Sequence, residues 1–131
     1  MCVFCNIAQG VWDSKKVYED DDVLAILDLS QATIGHTLVI PKKHYANILE
    51  IDKDKYMKVM DKVKLVCDKL NKSLKPKGFN ILNNCGETAG QTVNHFHVHI
   101  IPRYEENDLK LEFIDHSKDV NLDEILAKIN K

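Results

Sequence analysis

Apolar residues Val23, Leu24, Ala25, Ile26 and Leu27 follow one another without a helical period and predict a buried strand from Val23 to Asp28. A shorter strand is expected at Lys16 to Tyr18, and the acidic run Glu19, Asp20, Asp21 and Asp22 between the two reads as a solvated turn. Leu29 to Gly35 reads as a loop, followed by a β-rich run from His36 to Ile40 that Pro41 halts. The period then changes. From Asp52, a predicted N-cap, apolar side chains recur at Tyr56, Met60, Val63, Val66, Cys67, Leu70 and Leu74, the spacing of an amphipathic helix that Pro76 and Gly78 end. Its opposite face carries Lys53, Lys58, Lys62, Lys64, Lys69 and Lys72 interleaved with Asp54, Asp61 and Asp68, which reads as a solvated face and not a phosphate-binding stripe. Further strands are expected at Phe79 to Leu82 and His95 to Pro102, and one helical turn at Cys5 to Gln9, stopped by Gly10. Asn121 followed by Glu124 has the spacing of a capping box for a last helix with Leu122, Ile125, Leu126 and Ile129 on one face. This order predicts an α+β fold: a five-stranded, mainly antiparallel sheet, a long central helix and a C-terminal helix.

At 131 residues, 44% hydrophobic and 29% charged, the chain has the size and composition of a single globular domain, 1–131. Eighteen Lys and Arg against 20 Asp and Glu leave a formal net charge of -2, which argues against a nucleic-acid partner held by a broad basic surface. Any anion must therefore be caught locally. No apolar run approaches the roughly 20 residues of a membrane span, and no basic and apolar leader is present, so a soluble, cytoplasmic protein is expected, with no membrane partner.

Four cysteines in such a chain point to thiols or metal ligands more than to disulfides. Cys67 falls within the helical pattern and reads as core. Cys2 and Cys5 form a C-x-x-C pair, whose spacing suits two tetrahedral zinc ligands or a redox pair. A thioredoxin-like motif follows a strand, and nothing before Cys2 supplies one.

Three of the six histidines fall in His95-Phe96-His97-Val98-His99. Alternation along a strand puts the imidazoles on one face and Phe96, Val98 and Ile100 on the other, with successive imidazoles about 7 Å apart along the strand. A chance solvent-exposed row would alternate mixed polar residues instead. Neutral imidazole offers a nucleophilic nitrogen near pH 7, and a charged neighbour can donate a proton. Upstream, Gly86 and Gly90 bracket a loop that permits close backbone approach to a ligand but lacks the Gly-Lys-Ser/Thr of a P-loop.

Together, Gly90-Gln91-Thr92-Val93, one residue, and His95-Phe96-His97-Val98-His99-Ile100-Ile101-Pro102-Arg103 resemble the signature of the histidine triad (HIT) family. Asp28-Leu29-Ser30 and Gly35-His36-Thr37-Leu38-Val39-Ile40-Pro41-Lys42-Lys43-His44 also look like family motifs. The resemblance covers about residues 2–104 and leaves a C-terminal tail and helix, 105–131, without a signature. It implies hydrolases and transferases acting on the α-phosphate of nucleotides, typically as homodimers with joined sheets. Carried over, His97 becomes the nucleophile that forms a nucleotidyl-histidine intermediate. His99 and Gln91 would lie at the phosphate, and Thr92 would assist phosphate or leaving group. Asp28 would accept from the ribose hydroxyls, Asn84 would border the nucleotide, and Ile7 and Ile26 would contact the base. Asp28 by itself also suits a turn cap.

One branch of the family holds a structural zinc with a Cys-x-x-Cys, a His after Ile-Pro-Lys and the first triad histidine. Here these are Cys2, Cys5, His44 and His95, a closed set that leaves no metal for the chemical step. The alternative leaves two reduced thiols and a surface His44. His36 reads as a buried hydrogen-bonding support of the triad, His116 as surface, and Cys85 has no assigned role. The expected function is an adenosine 5'-phosphoramidate type hydrolase acting on purine nucleotide conjugates. Dinucleoside polyphosphate hydrolysis, a nucleotide-binding interaction protein with incidental hydrolysis, and a redox switch at Cys2 and Cys5 are the alternatives.

Overall fold

The computed structural model describes residues 2–131. Its elements are α1 (Val3–Ala8), β1 (Lys16–Glu19), β2 (Val23–Leu27), β3 (Thr37–Pro41), α2 (Lys53–Leu74), β4 (Gly78–Leu82), β5 (Val98–Arg103) and α3 (Leu122–Ile129). The strands form one sheet in the order β1-β2-β3-β5-β4, every neighbouring pair antiparallel. The α+β architecture expected from the pattern is the one observed.

Alternation divides the apolar side chains between two faces. Val23, Ala25, Val39, Phe96, Val98 and Ile100 meet Val59, Val63, Val66 and Leu70 of α2 in the larger core. Leu24, Ile26, Leu38 and Ile40 point the other way and pack with Phe4 of α1. His97 and His99, out of phase with Phe96 and Val98, belong to this second face. The functional side of the sheet is thus covered by a six-residue helix, too short to be stable without its tertiary contacts.

Several boundaries differ from the pattern for identifiable reasons. β5 begins at Val98, not His95, because its ladder to β3 starts at Val98↔Val39 and its ladder to β4 at His99↔Leu82. The preceding residues are held otherwise: the Phe96 N–H donates to Tyr45 O at 2.6 Å and Asn83 Nδ2 donates to His97 O at 2.8 Å. α1 starts earlier than expected because Cys2 Sγ caps it, accepting from the Cys5 N–H at 3.2 Å. Asp52 caps α2 as expected, accepting from the Lys55 N–H at 2.9 Å. The left-handed residue that ends α2 is Lys75 (φ 52°), ahead of Pro76 and Gly78. Val59, absent from the predicted stripe, is fully buried, whereas Leu74 is exposed.

Gly35 has a φ of +94°, and a Cβ there would sit 2.5 Å from Leu74 Cδ1, so glycine lets the loop before β3 close on the end of α2. Asn121 caps α3, accepting from the Glu124 N–H at 3.2 Å. The expected apolar stripe of α3 is present, yet none of its residues is buried against the described chain. Among the described residues no helix is long and apolar enough to cross a membrane.

Candidate active site and metal centre

Hydrogen bonds to backbone groups decide which nitrogen of each histidine carries a proton, because a carbonyl only accepts and an amide N–H only donates. His97 Nδ1 lies 2.7 Å from His95 O and therefore donates to it, leaving the Nε2 lone pair free. His95 Nε2 donates to Pro41 O at 2.8 Å, so its Nδ1 carries the lone pair. The Ala32 N–H donates to His36 Nδ1 at 3.1 Å, which puts the His36 proton on Nε2, directed at His99 Nδ1 2.9 Å away. His99 in turn carries its proton on Nε2. Three adjacent histidines thus present different chemistry: an acceptor toward the cysteines, a free base in the cleft, and a neutral donor beside it.

Burial keeps this arrangement uncharged. It lowers the His95 and His97 imidazoles below the usual 6.5. His99 is held at about 4 by burial first, then by His97 and His36. His97 and His99 rings meet edge to face with centroids 5.0 Å apart, closer than the rise along a strand alone allows, because the side chains lean together.

The cleft at His97 and His99 measures about 220 Å³. Phe4, Ile7, Ile26, Leu38 and Val93 supply its apolar wall, and Asp28 and Thr92 its other polar groups. Ile7 and Ile26 therefore share one wall. Asp28 caps a turn, its Oδ1 accepting from the Ser30 N–H at 2.9 Å, and it also lines the cleft. Its Oδ2 lies 3.6 Å from His36 Nε2, and His36 is buried.

Gln91, expected at the phosphate, and Asn84, expected to border the nucleotide, both bond to backbone groups. The Gln91 amide is committed to backbone: Oε1 accepts from the Gly86 N–H at 2.8 Å, and Nε2 donates to Ala46 O at 2.7 Å and Val93 O at 3.0 Å. It ties the 86–91 loop to the segment after β3. Asn84 is not in the lining of the His97 cleft, and its Nδ2 lies 3.3 Å from Gly90 O, closing the same loop. Its neighbour Asn83, which sequence reasoning passed over, holds the His97 carbonyl. Phe4 was also missed: its ring meets His95 and His97 edge-on, with centroids 5.8 and 5.1 Å away.

Flanking Phe4 in the chain, Cys2 and Cys5 converge with His44 and His95. The two sulfurs are 3.1 Å apart and the His44 and His95 Nδ1 atoms 3.2 Å apart. The four sulfur to nitrogen separations are 3.6, 3.4, 3.3 and 3.5 Å. Ligands at ordinary zinc bond lengths around a tetrahedron stand about 3.4 to 3.8 Å apart, so the four atoms need little adjustment to hold that ion. Burial and the neighbouring Cys2 sulfur push the Cys5 thiol up, a cost that a bound cation removes. The ligand atoms of a second cluster, Asp28, His36 and His99, also lie within 4.8 Å of one another. It does not suit a metal, because the His36 Nε2 in its midst carries a proton fixed there by the Ala32 N–H. Cys67 packs against the main core, and His116 is exposed.

The HIT domain family matches residues 9–106. An uncharacterized HIT-like protein of Methanocaldococcus jannaschii is 47% identical over 98% of both chains. A Schizosaccharomyces pombe protein named adenosine 5'-monophosphoramidase is 38% identical across 80% of this chain and 76% of its own. An Arabidopsis thaliana protein named adenylylsulfatase is 42% identical across 82% of this chain and 55% of its own. Among solved structures, a HIT family protein of Bacillus anthracis has a TM-score of 0.92 at 44% identity, covering 98% of this chain and 94% of that one. A zinc-bound histidine triad family protein of Mycobacterium smegmatis has a TM-score of 0.79 at 33% identity, covering 90% and 86%. With the triad and its cleft in the positions described, these matches establish that the chain belongs to the HIT family.

Proposed function

We propose that the protein hydrolyses purine nucleoside 5'-phosphoramidates through a nucleotidyl intermediate on His97. The observation that carries this reading is the Nε2 lone pair of a neutral imidazole facing the cleft, held there by the His97 Nδ1–H bond to His95 O. In the first step that lone pair forms the N–P bond, and the P–N bond to the leaving amine breaks. The amine nitrogen keeps the electron pair and takes a proton from solvent. In the second step water attacks phosphorus, the bonding pair returns to Nε2, and the nucleoside monophosphate leaves. His99 donates Nε2–H to a phosphate oxygen throughout. Asp28 accepts from the ribose hydroxyls, and Ile7 and Ile26 hold the base.

Zinc, bound by Cys2, Cys5, His44 and His95, supplies structural cross-linking when present, since four protein ligands leave no open position. The zinc-bound Mycobacterium relative supports this assignment. Two relatives named for adenylyl chemistry support the reaction class. No Lys or Arg lines the cleft, which favours a single phosphate and a non-phosphate leaving group over a dinucleoside polyphosphate. A homodimer is proposed from exposed apolar positions along the β4 edge, Ile81 and Leu82, and in the tail, Phe113 and Ile114; sedimentation equilibrium tests it.

Stereochemistry tests the reaction. With a substrate chiral at phosphorus, two displacements give net retention, and His97→Ala abolishes turnover. Net inversion, or full activity in the variant, removes the mechanism.

A further inference from the structure

A second cleft of about 480 Å³ opens on the other side of Thr92, lined by Asn47, Gly86, Glu87, Gln91, Thr92 and Asn94. Thr92 lines both clefts, so the two meet at the residue beside the triad. The walls of this second cleft are built. The Gln91 side chain bonds Gly86 on one wall and Ala46, next to Asn47, on the other. Asn47 Oδ1 accepts from the Leu49 and Glu50 N–H groups at 3.0 and 3.2 Å, which fixes that wall in turn. Gly86 and Gly90, with φ of +89° and +94°, hold the intervening turn, and the Gly90 N–H donates to Glu87 O at 2.9 Å.

The chemistry of the lining differs from that of the nucleoside cleft. It is polar, and its one charged side chain is the exposed Glu87. Neither cleft contains a Lys or Arg, while each contains one carboxylate, Asp28 in the first and Glu87 in the second. A group entering here from a phosphate held at His97 meets amides, a hydroxyl and a negative charge.

We infer that this cleft is the leaving-group subsite, and that Glu87 is a specificity-determining residue favouring leaving amines that carry a second, cationic group over those carrying an anionic one. The inference deepens the proposed phosphoramidate hydrolysis and rests on it. The amine departs in the step that forms the His97 adduct, so its charge affects that step alone. Hydrolysis of the adduct, which no longer contains the amine, proceeds at one rate whatever the starting substrate.

The test uses three adenosine 5'-phosphoramidates whose leaving amines are matched in basicity and chain length and end in an ammonium, a hydroxyl or a carboxylate group. Rapid-quench measurement gives adduct formation and adduct hydrolysis separately for the wild type, Glu87→Gln and Glu87→Lys. The expected wild-type order in kcat/KM is ammonium, hydroxyl, carboxylate, with about five-fold between neighbours at low salt and less at high salt. Glu87→Gln collapses the spread, Glu87→Lys inverts it, and adduct hydrolysis is the same in all three proteins. Glu87 is a surface loop residue, so its variants are expected to fold, and the common hydrolysis rate verifies it. Equal use of the three substrates by the wild type, or an unchanged spread in Glu87→Gln, overturns the subsite while leaving the His97 chemistry standing. Failure of every substrate to form an adduct overturns the underlying reading, and the subsite with it.

Discussion

His95 and His97 are two residues apart, share contact with the Phe4 ring and are both buried, yet they face opposite tasks. The difference lies in which nitrogen the backbone claims. Pro41 O takes the Nε2 proton of His95 and turns its Nδ1 lone pair toward Cys2, Cys5 and His44. His95 O takes the Nδ1 proton of His97 and frees Nε2 for the cleft. In the function proposed, one imidazole serves as a ligand and the next as a nucleophile with no difference in residue type. For this pair the tautomers are assigned by backbone carbonyls.

The sharpest break of that pairing is His97→Ala, expected to lower turnover by at least about 10³-fold. Its thermal midpoint should stay close to the wild type, measured by calorimetry. On the other side of the pair, removing metal with a chelator or making Cys5→Ser should cost several kcal/mol of stability, on the scale of structural zinc sites. Because α1 carries Cys5 as well as Phe4 and Ile7 of the cleft wall, and Cys2 caps it, nucleoside monophosphate affinity should fall too. Metal analysis, denaturant titration and calorimetric binding read the three effects. Unchanged nucleotide affinity in the metal-free protein would show that the metal group does not set the cleft wall.

Acid should discriminate less sharply. His99 sits at about 4 in the folded chain against an ordinary 6.5, so the unfolded chain binds its proton first as pH falls. Stability is therefore unaffected by this group above pH 6.5 and is lost progressively between 6.5 and about 4. The full difference corresponds to about 3.4 kcal/mol, and solvent screening of the partly exposed ring reduces it to on the order of 1–2 kcal/mol from His99 alone, read as the denaturation midpoint against pH. A smaller effect is expected from His36→Phe, which removes the donor to His99 Nδ1 and frees its tautomer. About a ten-fold fall in kcat with little change in KM is expected, and His99 should show both tautomers by 15N NMR.

Much of the architecture was legible because it follows from local chemistry. The unbroken apolar run of β2, the helical period of α2 and the capping oxygens of Asp52 and Asn121 act within a few residues. The start of β5 was not legible, since a ladder ends where its partners end, and β3 and β4 lie far away in sequence. The same holds for Gln91. Its type suits a phosphate, but its hydrogen bonds go to Gly86, Ala46 and Val93, and the partner at Ala46 is visible only in three dimensions. Alternation placed His97 and His99 on one face, whereas the tautomers, on which the chemistry turns, depend on carbonyl and amide groups that sequence does not orient.

In the mechanism proposed, His97 and neither of its neighbours carries the nucleotidyl group. Peptide mapping by mass spectrometry after a neutral rapid quench with an adenosine 5'-phosphoramidate tests it most directly. One added nucleotidyl group is expected, on residue 97, appearing and decaying at rates that match turnover. A group on His95 or His99, or turnover with no covalent adduct at any time, would contradict it.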